Sequence, residues 1–169
     1  MTPYTQHLGK DRFAERIGNA YLIGLNSNFM KNVEQNSLEE QSQFAWLKKT
    51  LKKKHKKDHV IVFLHHPFFL ENYGEEEGYS TLSESIRNKY FSLFDEYGVE
   101  FVIAGHLHDN REANHNGIEM VTTSAVGRQL GTAQPGIRII QLRKGNISQQ
   151  YFTLEQLPDT RKNVIASFK

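Results

Sequence analysis

Apolar residues gather in short runs along this chain, separated by polar or glycine-containing stretches, and each run predicts an element. Ala20-Tyr21-Leu22-Ile23-Gly24-Leu25 predicts a buried strand, stopped by Asn26-Ser27-Asn28. Ser37 and Glu40 have the spacing of a capping box, in which each side chain reaches the other's backbone N–H, and so predict a helix start. That helix is expected to run to about Lys56, with Phe44, Leu47 and Leu51 as its apolar stripe and Trp46 near the stripe's edge. Val60 to Leu64 predicts a second strand, and Asn72 to Ser80 an exposed acidic loop. Leu82 to Tyr97 predicts a second helix, with Ile86, Tyr90, Leu93, Phe94 and Tyr97 on one face and Gly98 as its stop. Val99 to Ala104 predicts the next strand.

Beyond this the pattern shortens. Ile118 to Thr122, Ile137 to Leu142 and Ile147 to Thr153 read as strands, with a hairpin turn at Lys144-Gly145-Asn146. Leu154 to Lys169 is weakly patterned. The order β-α-β-α-β followed by further strands predicts an α/β unit whose sheet ends in antiparallel strands. The carboxyl ends of its parallel strands would then carry the ligand site.

What stands at those ends is histidine. The run Phe101-Val102-Ile103-Ala104 ends in Gly105-His106-Leu107-His108, and Val60 to Leu64 ends in His65-His66-Pro67. In extended backbone, side chains at i and i+2 share a face, so His106 and His108 are expected to converge. By the same alternation His65 is the expected metal ligand of its pair and His66 points the other way, beside the metals or toward substrate, with metal ligation by His66 the open alternative. Gly105 is read as the residue that lets the backbone turn or approach a ligand. Imidazoles at a strand end are a common divalent-metal site, and zinc, iron and manganese all accept them. His7, His55, His59 and His115 lack this context. His55 and His59 are expected at the surface and His115 in a turn.

Composition narrows the field. The 169 residues suit one domain, and 21 basic against 19 acidic residues give a net charge of +2, without the signature of a nucleic-acid partner. No cysteine is present, which excludes disulfides and thiolate metal sites and fits a reducing, cytoplasmic setting. No apolar run is long enough to span a membrane, and Met1 to Lys10 contains no stretch of signal-peptide type. Seven lysines lie between Lys48 and Lys57, read as the solvated back and end of the first helix, because no aromatic residues interleave them to stack on bases. Thr122 to Gly127 reads as a plain small-residue loop.

Together the motifs resemble a known family. Gly105-His106-Leu107-His108 resembles the terminal G-H-x-H motif of the calcineurin-like metallophosphoesterases, and His65-His66-Pro67 their preceding histidine motif. Leu25-Asn26-Ser27, Gln43 to Leu47, Thr123 to Gly127 and Pro135 to Ile139 recur in the same order in the CPPED-type branch, which is serine/threonine-protein-phosphatase-like. The likeness covers about residues 4 to 157. It implies the C-terminal portion of an α/β/β/α sandwich, with 1–157 a partial phosphoesterase domain and 158–169 a tail. It also implies phosphate-ester hydrolysis by a metal-activated water on a phosphorylated protein or small molecule, with two divalent ions in the complete domain.

By the resemblance, His65 and His106 would hold one ion and His108 the other. The motifs D-x-H, G-D-x-x-D and G-N-H-D/E, which supply the family's bridging aspartate, asparagine ligand and proton donor, do not occur in this sequence. The expectation is therefore a piece of a longer phosphoesterase that binds at most one ion weakly, is inactive alone, and can self-associate through an unpaired sheet edge. The competing expectation is a non-catalytic binding module of the same fold.

Overall fold

The structure, a computed structural model, describes residues 3–7, 9–143, 145–159 and 168. Lys144 of the expected hairpin turn and most of the 158–169 tail lie outside the described residues. A short helix α1 (Pro3–His7) leads into β1 (Phe13–Ile17), which pairs antiparallel with β2 (Ala20–Gly24). Helices α2 (Ser27–Lys31) and α3 (Ser37–Leu51) follow, then β3 (His59–Phe63), α4 (Glu84–Tyr97) and β4 (Val99–Ala104). The chain continues through β5 (Arg111–His115), β6 (Ile118–Thr122), β7 (Gly136–Arg143) and β8 (Asn146–Thr153). The main sheet has the order β1-β2-β3-β4-β6-β5, with β2, β3, β4 and β6 parallel and the two edge strands antiparallel to their neighbours. β7 and β8 form a separate two-stranded sheet.

Alternation along the central strands divides the core between two faces. Tyr21, Ile23, Val60, Val62 and Val102 pack with Leu47 and Leu51 of α3 and with Ile86, Tyr90, Phe91 and Phe94 of α4. Ile61, Phe101, Ile103 and Val121 point the other way, against Ile140 and Leu142 of β7 and Ile147 of β8. Helices thus cover one face and the hairpin the other, as the α/β expectation requires. Among the described residues, no helix is long and apolar enough to cross a membrane.

The local signals met mixed outcomes. α4 is bounded as its sequence predicts, with Ser83 extended before it and Gly98 left-handed (φ 62°) after it. The capping box does not form. Asn36 takes the N-cap position, and Glu40 is buried, with its carboxylate on Lys89 Nζ at 2.7 and 2.9 Å. α3 also stops at Leu51 rather than near Lys56, where the lysine-rich stretch leaves the helix. Leu47 and Leu51 are fully buried, but Phe44 and Trp46 are only half-buried, with Arg12 stacked over the indole at 5.7 Å. His59, expected at the surface, is buried and paired with Glu100 at 2.9 Å. His115 ends β5, where its ring stacks on Tyr73 with centroids 3.6 Å apart, while Asn116 and Gly117 make the turn. β1 is exposed at every position and carries Glu15 and Arg16, so the first sheet edge is amphipathic rather than apolar.

Candidate metal centre

Three strand ends converge at one edge of the sheet. The β2 end enters Asn26 and α2, and Gln43 of α3 fixes this passage. Its Oε1 accepts the Asn26 N–H at 2.8 Å and its Nε2 donates to the Asn26 carbonyl at 3.2 Å. This places Ser27, almost fully buried, under the end of β3. Ser27 Oγ accepts the N–H groups of His65 (3.2 Å) and His66 (2.9 Å) and lies 2.9 Å from His66 Nδ1. The Gly105 N–H donates to the His65 carbonyl at 3.1 Å, which sets the β4 end beside the β3 end.

Here His65, His66 and His106 each offer a ring nitrogen within 4.8 Å of the others. His65 Nε2 and His106 Nδ1 are 3.1 Å apart, and the His66 ring centroid lies 4.5 Å from that of His106 and 5.0 Å from that of His65. The expectation that His66 points away from His65 fails, because β3 ends at Phe63 and the backbone is already turning at both histidines. Strand alternation has no hold there. Strand alternation also ends with β4, at Ala104. His106 (φ 68°) and His108 (φ 51°) are left-handed, and the Leu107 N–H closes on the Gly105 carbonyl at 2.8 Å. Gly105 itself is not the left-handed residue, and a Cβ there would meet only His65 Nδ1, at an ordinary 3.8 Å.

His108 is not one of these three, though its charge acts on His106. Its Nδ1 lies 2.7 Å from the Arg128 carbonyl, which can only accept. The Nδ1 proton is thereby fixed, and Nε2 of the neutral ring is left with a free lone pair. The loop behind it is tied down by residues to which the sequence alone assigns no such contact. Ser124 Oγ donates to the His108 carbonyl at 3.0 Å, and the Ser124 N–H donates to Asn110 Oδ1 at 3.1 Å. Arg138 holds the same Asn110 oxygen at 3.0 Å, and Gln129 Nε2 donates to the Ala125 carbonyl at 2.5 Å. Ser124 lies in the stretch read as a plain loop, and its hydroxyl was the available signal. Ser27 stands in the Leu25-Asn26-Ser27 motif, where the sequence marks a strand's stop but not this contact.

Burial disfavours the charged form of two of the three rings. Burial first, then the charges of His106, His65 and Lys31, push His66 from its usual 6.5 down to about 4. Burial, followed by His65, His108 and Lys31, also lowers His106. Lys31 holds the neighbouring acidic loop through Thr81 O (2.6 Å), Gly78 O (2.9 Å) and Glu77 (3.2 Å). Tyr79 of that loop is 87% exposed and stands 5.6 Å from the His106 ring.

The residues fit a divalent cation as ligands. Two imidazoles on one tetrahedral zinc, with bonds of about 2.0–2.1 Å, have nitrogens roughly 3.3 Å apart, close to the His65–His106 spacing. Neutral imidazoles suit zinc, iron and manganese. Among the described residues the cluster contains no carboxylate.

The chain is similar to known proteins. The serine/threonine-protein phosphatase CPPED1 of Homo sapiens is 34% identical over 154 residues, covering 89% of this chain and 49% of that protein. The Bos taurus protein of the same name is 32% identical over 153 residues, again covering 89% and 49%. The chain thus spans about half the length of the curated relatives it matches. A solved structure described as "GAP50 the anchor in the inner membrane complex of Plasmodium" superposes with a TM-score of 0.63 at 15% identity, over 84% of this chain and 49% of that one, a likeness of fold alone. The sequence model of the calcineurin-like phosphoesterases matches residues 3–110, through both histidine motifs, and the chain belongs to that family.

Proposed function

We propose that this chain carries part of the site of a metal-dependent phosphatase, with His65 and His106 ligating one divalent ion and His108 a second. The observation that carries the reading is the pair of facing ring nitrogens 3.1 Å apart at the carboxyl ends of two parallel strands. A divalent ion bound there supplies Lewis acidity toward a phosphoryl oxygen and lowers the pKa of water. The chain's own part is to hold the imidazoles neutral and oriented. Burial lowers both His66 and His106 from their ordinary value, which favours the unprotonated rings that can ligate. The Arg128 carbonyl sets the tautomer of His108. The substrate class is a phosphate ester, and the names of the relatives favour phosphoserine and phosphothreonine side chains.

The chain is inactive, or nearly so, by itself. Two ions about 3.5–4 Å apart need a bridging anion and further oxygen ligands, and the cluster has imidazoles only. That deficit is also what favours the second reading, a non-catalytic module that keeps the fold. The test is hydrolysis of an aryl phosphate with manganese or zinc by this chain, its His65→Ala and His106→Ala variants, and a longer polypeptide carrying D-x-H and G-N-H motifs. We expect turnover from the longer polypeptide and its loss on either substitution. Robust turnover by the 169-residue chain, abolished by both substitutions, would refute the ligand-count argument. An inactive longer polypeptide would favour the binding module.

A further inference from the structure

His66 sits in the histidine cluster, yet its hydrogen bonds differ in kind from those of His108. A serine hydroxyl has one proton and two lone pairs. Both lone pairs of Ser27 Oγ are taken by the backbone N–H groups of His65 and His66. The remaining contact, 2.9 Å to His66 Nδ1, must therefore use the Ser27 O–H as donor. Nδ1 accepts, so the neutral His66 ring carries its proton on Nε2, on the opposite side of the imidazole. At His108 a carbonyl acceptor fixes the proton on Nδ1 and leaves Nε2 as a free lone pair. One ring is set as a ligand and the other as a donor. Ser27 is almost fully buried, so water does not compete for this arrangement.

We infer that His66 does not ligate metal but donates its Nε2–H to a phosphoryl oxygen of the substrate, with Ser27 as the residue that holds this tautomer. The inference rests on the phosphoesterase reading of the site. The His66 ring stands 4.5 Å from His106, centroid to centroid, so a phosphoryl group at the His65–His106 pair lies within its reach. A neutral N–H aimed at an anionic oxygen makes a charge-assisted bond without placing a second cation beside the ions. Strand alternation expected His66 to stand apart from the ligands. The Ser27 contacts give it a separate role from inside the cluster.

The experiment uses the 169-residue chain, zinc chloride and methylphosphonate, a phosphoryl probe that cannot be hydrolysed. Zinc affinity and, in zinc, methylphosphonate affinity are measured by calorimetry for wild type, His65→Ala, His66→Ala and His66→Gln. We expect His65→Ala to weaken zinc binding at least tenfold and His66→Ala to leave it within about threefold. His66→Ala should weaken methylphosphonate at least tenfold, the size of a lost hydrogen bond to a charged group. His66→Gln, which keeps an N–H donor, should recover part of that loss. Zinc binding lost in His66→Ala to the same degree as in His65→Ala would make His66 a ligand and overturn the inference. Unchanged methylphosphonate affinity in His66→Ala would overturn it too. If wild type takes up no zinc but His66→Ala still loses methylphosphonate, the metal reading fails and the donor role of His66 stands.

Discussion

Removing one hydroxyl tests how the histidine edge is held. Ser27→Ala deletes the acceptor of two backbone N–H groups and the partner of one ring nitrogen, in a residue that is 1% exposed. Each net hydrogen bond contributes about 1 kcal/mol, and a buried donor left without an acceptor costs about 1–3 kcal/mol. The His65 and His66 N–H groups are only partly buried and recover some solvation, so we expect a loss of about 2–4 kcal/mol. For a chain of this size that corresponds to a fall in Tm of roughly 4–16 °C. The assay is urea denaturation followed by circular dichroism, with Ser83→Ala as the control. Ser83 precedes α4 but makes no capping bond through its side chain, so its replacement should change stability by less than about 0.5 kcal/mol. A Ser27→Ala variant as stable as that control would show that the three contacts carry no energy, and the account of how β3 presents its histidines would fall with them.

Other perturbations separate core from surface. Leu47→Ala, at a fully buried position, should cost about 2–5 kcal/mol, and Trp46→Ala less than the 3–5 kcal/mol of a fully buried ring, because half of the indole faces Arg12 and solvent; chemical denaturation ranks them. The hydrogen bonds from Arg16 hold the Asp58 carboxyl below its ordinary 3.8, so folding binds fewer protons there than the unfolded chain does. The stabilisation is present above about pH 4 and is lost as the pH falls through the lower, folded value. Asp58→Asn should therefore destabilise the neutral protein and flatten its acid denaturation curve. Gly136→Ala would drive a Cβ into the Phe152 carbonyl and should disrupt β7–β8, whereas Gly105→Ala should leave stability within about 0.5 kcal/mol; thermal melts of both check this.

The elements that bury an apolar face were legible in the sequence because burial writes a period into it. β4 and β6 fall where their runs predict, and α4 lies between Ser83 and Gly98. β1, β5 and α2 were not legible. Each has five residues, and the edge strands are mostly exposed, so no alternation marks them. The histidines were legible as a group but not in their arrangement, since the periods of strands end where the strands do. β3 and β4 both stop before their histidines, and what aims the rings is Ser27, 39 residues from His66, and the Arg128 carbonyl, 20 residues from His108. His59 and Glu100, 41 residues apart, are hidden for the same reason. Contacts across such separations leave no mark in local spacing.

The left-handed backbone at His106 and His108 has a consequence for the kinetics of capture. Non-glycine residues are held in that region at a cost of about 1–3 kcal/mol each, which the folded framework meets through β4, the Leu107–Gly105 closure and Ser124. We expect these contacts to order the segment without an ion, so that an incoming cation has no loop to freeze. Uptake should be limited by diffusion and desolvation rather than by a conformational step, with rates linear in metal concentration and no plateau. Amide hydrogen exchange at residues 105–108 should be nearly the same with and without zinc. Strong new protection on adding the ion would mean that the metal, rather than the fold, orders this turn.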